Sequence, residues 1–300
     1  MREVDLIKRF ASLFPAADLS DDAAIIPFSD TNLILTMDML LEGIHFDRRW
    51  CDAYSIGWKA ATASLSDLAA MRAKPLALGW SVGIRPDDTE WTLEAARGLA
   101  DCCARFGCPV VGGDTNRSDC AAIDVVALGT SDHPSRRSTA QAGDALLVSG
   151  PLGASLTGLL DLRKHGRTAS LTPIHEAHLR PIPRLDFARH ETAVHWSAAM
   201  DISDGLSADL PKLCAASGLG AQVEPESVPV HPGAKEYALQ NDLDPLMIAL
   251  QGGEDYELLV ASSNPDPLIA AGWIRIGQLT SDHGIDWGGV NPPEGYDHFG

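Results

Sequence analysis

The stretch AYSIGWKAATASLSDLAAM, residues 53–71, consists almost entirely of small and apolar residues. Its spacing predicts a helix, and on one face Ile56, Ala60 and Ala63 are small enough for close packing. The same face carries one carboxylate, Asp67. Strand and helix patterns alternate along the chain on both sides of this segment, so the sequence predicts an α/β (α+β) fold.

Outward from this helix, short apolar runs predict strands and amphipathic runs predict helices. In the first half, the expected elements are a helix over 4–14 that Pro15 ends, strands over 32–37 and 76–84, a helix over 89–106 closed by Gly107, and strands over 109–111 and 121–129. In the second half, they are a strand over 145–149, a helix reaching Leu162, helical residues 173–190, an Asp-rich turn and helix over 201–216, a strand ending in 251–254, and strands over 257–261 and 273–276.

The polar run SDHPSRRSTAQA, residues 131–142, has no hydrophobic period and is the best candidate for a linker. A boundary within this run divides the chain into an N-terminal domain, residues 1–138, and a C-terminal domain, residues 139–300. Two domains agree with a length of 300 residues, since a domain typically has roughly 150.

The composition argues against two classes of partner. The formal net charge of −18 repels nucleic acid and anionic membranes, so neither is expected to bind. The longest uncharged stretch, residues 145–160, is too short to span a bilayer. The six cysteines form no C-x-x-C pair and the charged N-terminus does not resemble a signal peptide, so we expect a cytoplasmic protein with reduced thiols.

Aspartates occur at the ends of apolar runs or on small-residue faces, not scattered over polar helix faces. They are Asp21, Asp22, Asp38, Asp67, Asp114, Asp201 and Asp204. Because the ends of apolar runs meet when the runs pair in a sheet, these carboxylates are expected to converge. Two like charges about 4 Å apart repel by about 4 kcal/mol at an effective dielectric near 20, so a converging set needs cations, and oxygen ligands favour Mg²⁺ or Ca²⁺. The alternative is that each aspartate caps a helix or forms a turn.

Three glycine-containing segments are candidates for anion binding, because backbone N–H groups can approach a ligand closely there. They are VGGDT (111–115), QGGEDY (251–256) and GPLG (150–153). The alternatives are, respectively, a plain loop, a tight hairpin and a capped turn, and none of the common phosphate-loop motifs occurs. The pair His175 and His178 lacks metalloprotease spacing and is expected on a solvated helix face, whereas His45 follows Asp38 in a loop and is a candidate functional residue.

Seven ordered motifs resemble the thiamine-monophosphate kinase family, which belongs to the aminoimidazole ribonucleotide synthetase-like superfamily. They are LSDDAAI (19–25), LTMDMLLEGIHF (35–46), KAATASLSDLAAMRAKP (59–75), VGGDTNRS (111–118), MDISDGLSADL (200–210), GGEDYELL (252–259) and GYDHF (295–299). Together they run along essentially the whole chain. The resemblance implies the two-domain fold of that superfamily: an N-terminal ATP- and Mg²⁺-binding domain, whose sheet pairs with that of a second subunit in a homodimer, and a C-terminal α/β domain.

The resemblance also implies a reaction, in which ATP phosphorylates thiamine phosphate to thiamine diphosphate as the final step of thiamine diphosphate biosynthesis. By the same resemblance, the Mg²⁺-binding positions are Asp22, Thr36, Met37, Asp38, Asp67, Asp114, Asp201 and Asp204. The implied ATP contacts are Gly113, Asp114, Arg137 and Ser203, and the implied acceptor contacts are His45, Glu254 and Tyr296. Ser20 replaces the family's usual glycine, and Met37 stands where Thr or Ser is common. Since a thioether is a poor Mg²⁺ ligand, Met37 would offer its backbone carbonyl.

The candidate residues include carboxylates but no nucleophile–base pair. The acceptor is a phosphate monoester with a second pKa of about 6, so it is largely a dianion at neutral pH and needs no general base. The sequence therefore predicts direct in-line transfer assisted by several Mg²⁺ ions, with Arg137 as a bidentate phosphate contact. Two alternatives stay open: another ATP-dependent enzyme of the superfamily, such as selenophosphate synthetase or aminoimidazole ribonucleotide synthetase, and a non-catalytic Mg²⁺- or Ca²⁺-binding protein.

Overall fold

The computed structural model describes residues 3–14, 20–167, 170–189, 191–293 and 295–296. Two mixed sheets, each with its own helices, make up this part of the chain. In the first half, the elements are α1 (Glu3–Leu13), β1 (Ala24–Phe28), β2 (Thr31–Leu41), α2 (Ala53–Ala70), β3 (Lys74–Ile84), α3 (Thr89–Phe106), β4 (Val110–Arg117) and β5 (Ala122–Ser131). Pro15, which the sequence predicts to end the first helix, lies outside the described residues.

The first sheet has the strand order β1-β2-β5-β3-β4, with β3 and β4 parallel and all other neighbours antiparallel. Burial alternates along β5, where Ile123, Val125 and Ala127 are fully buried. The opposite face is open in the described chain, with Met37 64% and Met39 53% exposed. The sheet is therefore covered by helices on one face only.

Helix α2 is the central element of the molecule and is buried on nearly every side. Asp52 caps its start by accepting a hydrogen bond from the Ser55 N–H, and only Tyr54 and Asp67 within it are not fully buried. A Cβ on Gly57 would lie 1.8 Å from the Ala95 carbonyl oxygen of α3, so glycine is required for this close helix pairing. The helix also contacts two strands of the second sheet, β7 (Ala198–Ile202) and β9 (Glu257–Ser262), so it lies between the two halves.

The second half carries a six-stranded sheet of order β11-β8-β10-β6-β9-β7, antiparallel except for β11 and β8. Its strands are β6 (Ala145–Val148), β7 (Ala198–Ile202), β8 (Gly220–Val223), β9 (Glu257–Ser262), β10 (Ile274–Thr280) and β11 (Ile285–Asp286). Its helices are α4 (Ala154–His165), α5 (Pro173–Leu179), α6 (Leu185–Arg189), α7 (Leu206–Ser217), α8 (Pro232–Gln240), α9 (Pro245–Gln251) and α10 (Asp266–Ala270). Strands β6, β7 and β9 are buried along their whole length, so elements cover both faces of this sheet.

Several predicted elements differ from the observed ones. The strand expected to end at 251–254 is wrong, because residues 245–251 form α9, whose first turn is capped by Asp244. The glycine pair at 112–113 does not end a strand but lies inside β4, where a Cβ on Gly113 would be 2.0 Å from the Trp80 carbonyl oxygen. Sequence periodicity missed both features, since a seven-residue helix and a glycine-rich edge strand give weak patterns.

No helix of the described residues is long and apolar enough to cross a membrane. All six cysteines are free thiols, and five of them are buried.

Candidate active site

Three carboxylates from distant parts of the chain meet at one point. Asp22 precedes β1, Asp67 lies near the end of α2, and Asp201 is on β7. One oxygen of each lies within 4.8 Å of the other two. The structure therefore brings together aspartates from both halves of the chain.

Hydroxyl groups hold the carboxylates around this point. Ser66 Oγ donates to Asp201 Oδ2 at 2.7 Å, and Thr36 Oγ1 donates to Asp67 Oδ2. Ser64 Oγ donates to Oδ2 of the neighbouring Asp38 at 2.7 Å. These donors are neutral, so they orient the carboxylates without compensating their charge.

Burial and mutual repulsion act on these carboxylates in the same direction. Burial raises the pKa of Asp67 and Asp201 well above the usual value, and nearby carboxylates, including Asp22, raise it further. Burial also raises the pKa of Asp38, against the hydrogen bond from Ser64. The ionised forms are therefore destabilised unless a positive charge lies among them.

One arginine reaches this cluster. The Arg137 guanidinium pairs with Asp22 Oδ1, and its backbone N–H donates to Asp21 Oδ1 at 2.8 Å. Burial lowers the pKa of Arg137, but the charge and hydrogen bond of Asp22, together with the charges of Asp201 and Asp209, outweigh that effect and the net shift is upward. Among the described residues, Asp22 Oδ2 is buried and accepts no hydrogen bond. An unsatisfied oxygen beside two more carboxylates, with one arginine nearby, fits a hard divalent cation such as Mg²⁺.

Asp204 has a different environment. Lys212 Nζ lies 2.5 Å from Asp204 Oδ2 and 2.8 Å from Asp209 Oδ1. The other oxygen of Asp209 accepts the backbone N–H groups of Ser203, at 3.1 Å, and of Asp204, at 3.0 Å. The turn between β7 and α7 is thus shaped by a buried carboxylate, and Asp204 has its own cation within the chain.

Asp114 lies away from the cluster. On the first sheet Asp114 pairs with Ser81, Ser81 with Asp124, and Asp124 with Met39. Paired residues share a face, so Asp114 is on the Met39 face and Asp38, the next residue on β2, is on the opposite one. Strands β4 and β2 are also three strand spacings apart, or about 14 Å. Within one chain, Asp114 therefore does not join Asp22, Asp67 and Asp201. Gly113 shares the face of Asp38 but is separated from it by the same three strand spacings.

The residues expected to contact the acceptor lie along one cleft of about 1400 Å³. Polar members of its lining include Asp38, His45, Ser203, Asp204, Glu254 and Tyr296. Apolar side chains, among them Phe46, Trp50 and Ile248, line other parts of the same cleft. His45 Nδ1 accepts the Leu41 backbone N–H at 3.0 Å, which orients its ring. Residues 297–299 of the last motif lie outside the described residues.

Three buried residues were missed or misjudged from the sequence. The prediction that His175 and His178 lie on a solvated face is wrong, because they are only 3% and 2% exposed. Lys59, also 2% exposed, forms an ion pair with Glu254 at 2.8 Å. A lysine within a helix of small residues was the available signal, since a fully buried lysine requires a partner.

A carboxylate of the chain itself occupies the possible phosphate site at GPLG (150–153). The backbone N–H groups of Gly153 and Ser155 donate to the Asp255 carboxylate, at 2.5 and 2.9 Å. Burial raises the pKa of Asp255 to about 7, against these hydrogen bonds. The capped-turn alternative therefore describes this segment.

Comparison with known proteins follows the same two-part division. Residues 20–131 match the model of the AIR synthase related protein N-terminal domain, and residues 141–284 match that of its C-terminal domain. The thiamine-monophosphate kinase of Synechococcus elongatus is 38% identical over 279 residues, covering 88% of this chain and 82% of its own. That of Aquifex aeolicus is 32% identical over 301 residues, covering 99% and 96%.

The chain belongs to the thiamine-monophosphate kinase family. The solved structure of AaThiL complexed with AMPPCP and TMP superposes with a TM-score of 0.92 at 31% identity, covering 99% of this chain and 97% of that one. HypE in the HypE–HypF complex shares the fold, with a TM-score of 0.75 at 18% identity. The family resemblance and the two-domain AIR synthase-like fold expected from the seven motifs are thus confirmed.

Proposed function

We propose that the protein transfers the γ-phosphate of ATP to thiamine phosphate, which yields thiamine diphosphate and ADP and is the last step in making that product. The observation that carries this proposal is the convergence of Asp22, Asp67 and Asp201 from three separate elements. Family membership supports it, as does the likeness to a relative solved with AMPPCP, an ATP analogue, and TMP.

In this proposal Mg²⁺ is held by Asp22, Asp38, Asp67 and Asp201, with the Thr36 hydroxyl and the Met37 carbonyl as further oxygen donors. When bound, magnesium neutralises phosphate charge and aligns the two phosphates for transfer. The hydroxyls of Ser64 and Ser66 hold two of these carboxylates in place. The unsatisfied Asp22 oxygen supports this assignment.

ATP is assigned to the side of the site formed by Arg137 and Ser203, and the acceptor to His45, Glu254 and Tyr296. The acceptor phosphate is already a dianion, so no side chain has to remove a proton before transfer. The chain then has to hold the two anions in line and exclude other geometries. The phosphoryl group passes directly from ATP to the acceptor, without a phosphoenzyme. Trapping a covalent phosphoprotein during turnover would contradict direct transfer.

Asp204 and Lys212 form a pair at the edge of this site. For Asp204 to bind a metal, as the family resemblance implies, the Lys212 ammonium has to move away from it. Lys212 is 41% exposed, so it is free to reorient into solvent or toward a phosphate. We therefore assign Asp204 to the metal site only in the nucleotide-bound form.

A homodimer is the second part of the proposal. The open face of the first sheet carries Met37 and Met39, which are 64% and 53% exposed. Large apolar side chains exposed on an open sheet face are typical of an interface. Pairing of this face with a second copy would also allow Gly113 and Asp114 to reach the nucleotide bound by the partner.

The domain boundary near residue 138 and the cytoplasmic location stay predictions.

A coupled assay for thiamine diphosphate, with Mg²⁺, ATP and thiamine phosphate, tests the reaction. We expect ADP and thiamine diphosphate to form in equal amounts, and ADP formation to stop without the acceptor. Calcium binding without nucleotide binding would instead favour a cation-binding protein. ATP turnover that ignores thiamine phosphate would favour another enzyme of the superfamily.

A further inference from the structure

A buried polar cluster lies behind Glu254 at the wall of the cleft, and its other members have no part in the mechanism described above. Lys59 Nζ is 2.8 Å from Glu254 Oε2 and 3.5 Å from His178 Nε2. The other ring nitrogen of His178, Nδ1, is 3.1 Å from Ser155 Oγ and 3.4 Å from Glu254 Oε2. Lys59, His178 and Ser155 are at most 2% exposed, whereas the Glu254 side chain is 27% exposed toward the cleft.

Proton positions in this cluster follow from elementary chemistry. An ammonium group has donors only, so the nitrogen of His178 that faces Lys59 must be an acceptor. Burial and the charge of Lys59 lower the pKa of His178 well below its ordinary value, so the ring is neutral. A neutral ring with a lone pair on Nε2 carries its hydrogen on Nδ1, which then donates to Ser155 or Glu254.

Glu254 is held by its backbone as well as by these donors. Its φ is +60°, a conformation unfavourable for a residue with a Cβ, and its N–H donates to the Ser203 carbonyl at 2.8 Å. The preceding Gly253 has no room for a side chain, since a Cβ would be 2.6 Å from the same carbonyl oxygen. Strained backbone of this kind is maintained where the surroundings determine the position of a side chain, often at functional sites.

The cluster leaves one oxygen of Glu254 available. Lys59 and His178 both approach Oε2, and no described residue hydrogen-bonds to Oε1. A carboxylate is only an acceptor, so its ligand must offer a donor. The Glu254 carboxylate has a buried ammonium against one oxygen, and its other oxygen suits an N–H donor in the cleft.

We propose that Lys59 and His178 are positioning residues that hold Glu254 across the boundary between the two halves, with Oε1 presented to an N–H donor of the phosphate acceptor. This inference rests on the proposed function and adds two residues to it. Lys59 and Asp67 lie on the same helix, eight residues or about 12 Å apart along its axis. A single rigid helix therefore sets the spacing between the acceptor contact and the metal-binding carboxylates.

The decisive variant is Lys59→Met, which keeps the length of the side chain and removes the ammonium. We expect the KM for thiamine phosphate to rise about tenfold or more, while the KM for ATP changes little. Lys235→Met, at an exposed lysine on α8, is the matched control and should behave as wild type. An equal rise in the KM for thiamine phosphate and in the KM for ATP would show that Lys59 has a merely structural role and would overturn the proposal.

His178 gives an independent test with a spectroscopic readout. Nitrogen-15 NMR of His178 in the native protein should show the neutral ring protonated on Nδ1. His178→Asn, which keeps a donor near the Nδ1 position, should retain more affinity for thiamine phosphate than His178→Gln, whose amide extends toward the Nε2 position. A ring protonated on Nε2, or no difference between the two variants, would contradict the proposal.

Two controls separate this inference from the proposed function. A wild-type protein that does not phosphorylate thiamine phosphate refutes the function, whereas an active wild type with an unselective Lys59→Met refutes only the inference. If Lys59→Met does not fold, the double variant Lys59→Met/Glu254→Gln removes both charges together and takes its place. A double variant that binds thiamine phosphate as well as wild type would also overturn the proposal.

Discussion

The carboxylate cluster and the Glu254 cluster differ in how their buried negative charge is compensated. Around Asp22, Asp67 and Asp201, like charges lie within 4.8 Å, and Arg137 supplies the one positive charge that pairs with them in the described chain. Around Glu254, the buried ammonium of Lys59 and a neutral imidazole compensate the charge internally. The first region is thus incomplete without an added cation, whereas the second is assembled before any ligand binds. Substitutions should therefore affect chemistry in the first region and acceptor binding in the second.

The sharpest test of this contrast is Asp67→Asn. Removing a central carboxylate should lower kcat by about 100- to 1000-fold, because charge stabilisation of the transferring phosphate is lost. Without metal, the variant should be at least as stable as wild type, since one of several repelling charges is gone. Steady-state kinetics and thermal unfolding check the two halves of the prediction. Asp282→Asn, at an exposed aspartate, is the control, and near-normal turnover of Asp67→Asn would remove Asp67 from the site.

Glu254→Ala should give the reverse pattern. It leaves the Lys59 ammonium buried without its carboxylate, so we expect the free energy of unfolding to fall by about 3 kcal/mol. Acceptor binding should weaken more than ATP binding, whereas kcat should change less than it does in Asp67→Asn. Denaturant unfolding and the two KM values measure these effects. Glu254→Gln keeps an acceptor oxygen and should be less destabilised; an unchanged acceptor KM in Glu254→Ala would contradict the assignment.

Magnesium should stabilise the two regions unequally. A ligand that binds only the native state adds about 2.7 kcal/mol at a hundred times its dissociation constant. We expect Mg²⁺ to raise the Tm of wild type and of Lys59→Met alike, and to raise that of Asp67→Asn much less. Calorimetric scans with EDTA and with excess Mg²⁺ measure this. An equal rise in all three proteins would place magnesium somewhere other than the carboxylate cluster.

The smallest effect is expected at Asp255, beside Glu254. Burial raises its pKa to about 7, so the native protein binds a proton there more tightly than the unfolded chain does. Its contribution to stability is therefore greatest near pH 4 and declines as the pH rises through about 7. In Asp255→Asn, the free energy of unfolding should decline less over this pH range than in wild type, by about 1 kcal/mol or more. Poorer capping of α4 should also lower the stability of the variant by an amount that does not depend on pH. Parallel unfolding curves of wild type and Asp255→Asn from pH 4 to 8 would argue against a raised pKa.

The local elements were the most predictable part of the molecule. The helix closed by Gly107 has a strong hydrophobic period, whereas the small-residue helix and the strand near 257–261 are continuous runs of small or apolar residues, and each of the three is present. The helix at 245–251 was not recognised, because seven residues give too short a period to separate from a strand. The position of the aspartates at the ends of apolar runs predicted that their carboxylates converge, and for Asp22, Asp67 and Asp201 the geometry agrees.

The candidate site, too, was predictable from the sequence only in part. Residue type and chain position predicted that the aspartates converge, and the family resemblance implied that Glu254 contacts the acceptor. They did not indicate that Asp114 faces away from Asp38, because the face of an edge strand depends on its register with strands far along the chain. Nor did they show that Asp255 occupies the N-terminus of α4, since two segments about 100 residues apart have to pack first.

By itself, the sequence determined the family, the alternation of helices and strands in both halves, and a set of carboxylates of the type that binds magnesium. Those properties follow from local periodicity and from motifs that are contiguous in the chain. Only the tertiary structure decided that Lys59 meets Glu254, 195 residues away, and that His178 is buried beside them. A lysine, a histidine or an aspartate has no fixed role until packing sets its solvent and its neighbours, because burial and nearby charge determine whether the ionised form is stable.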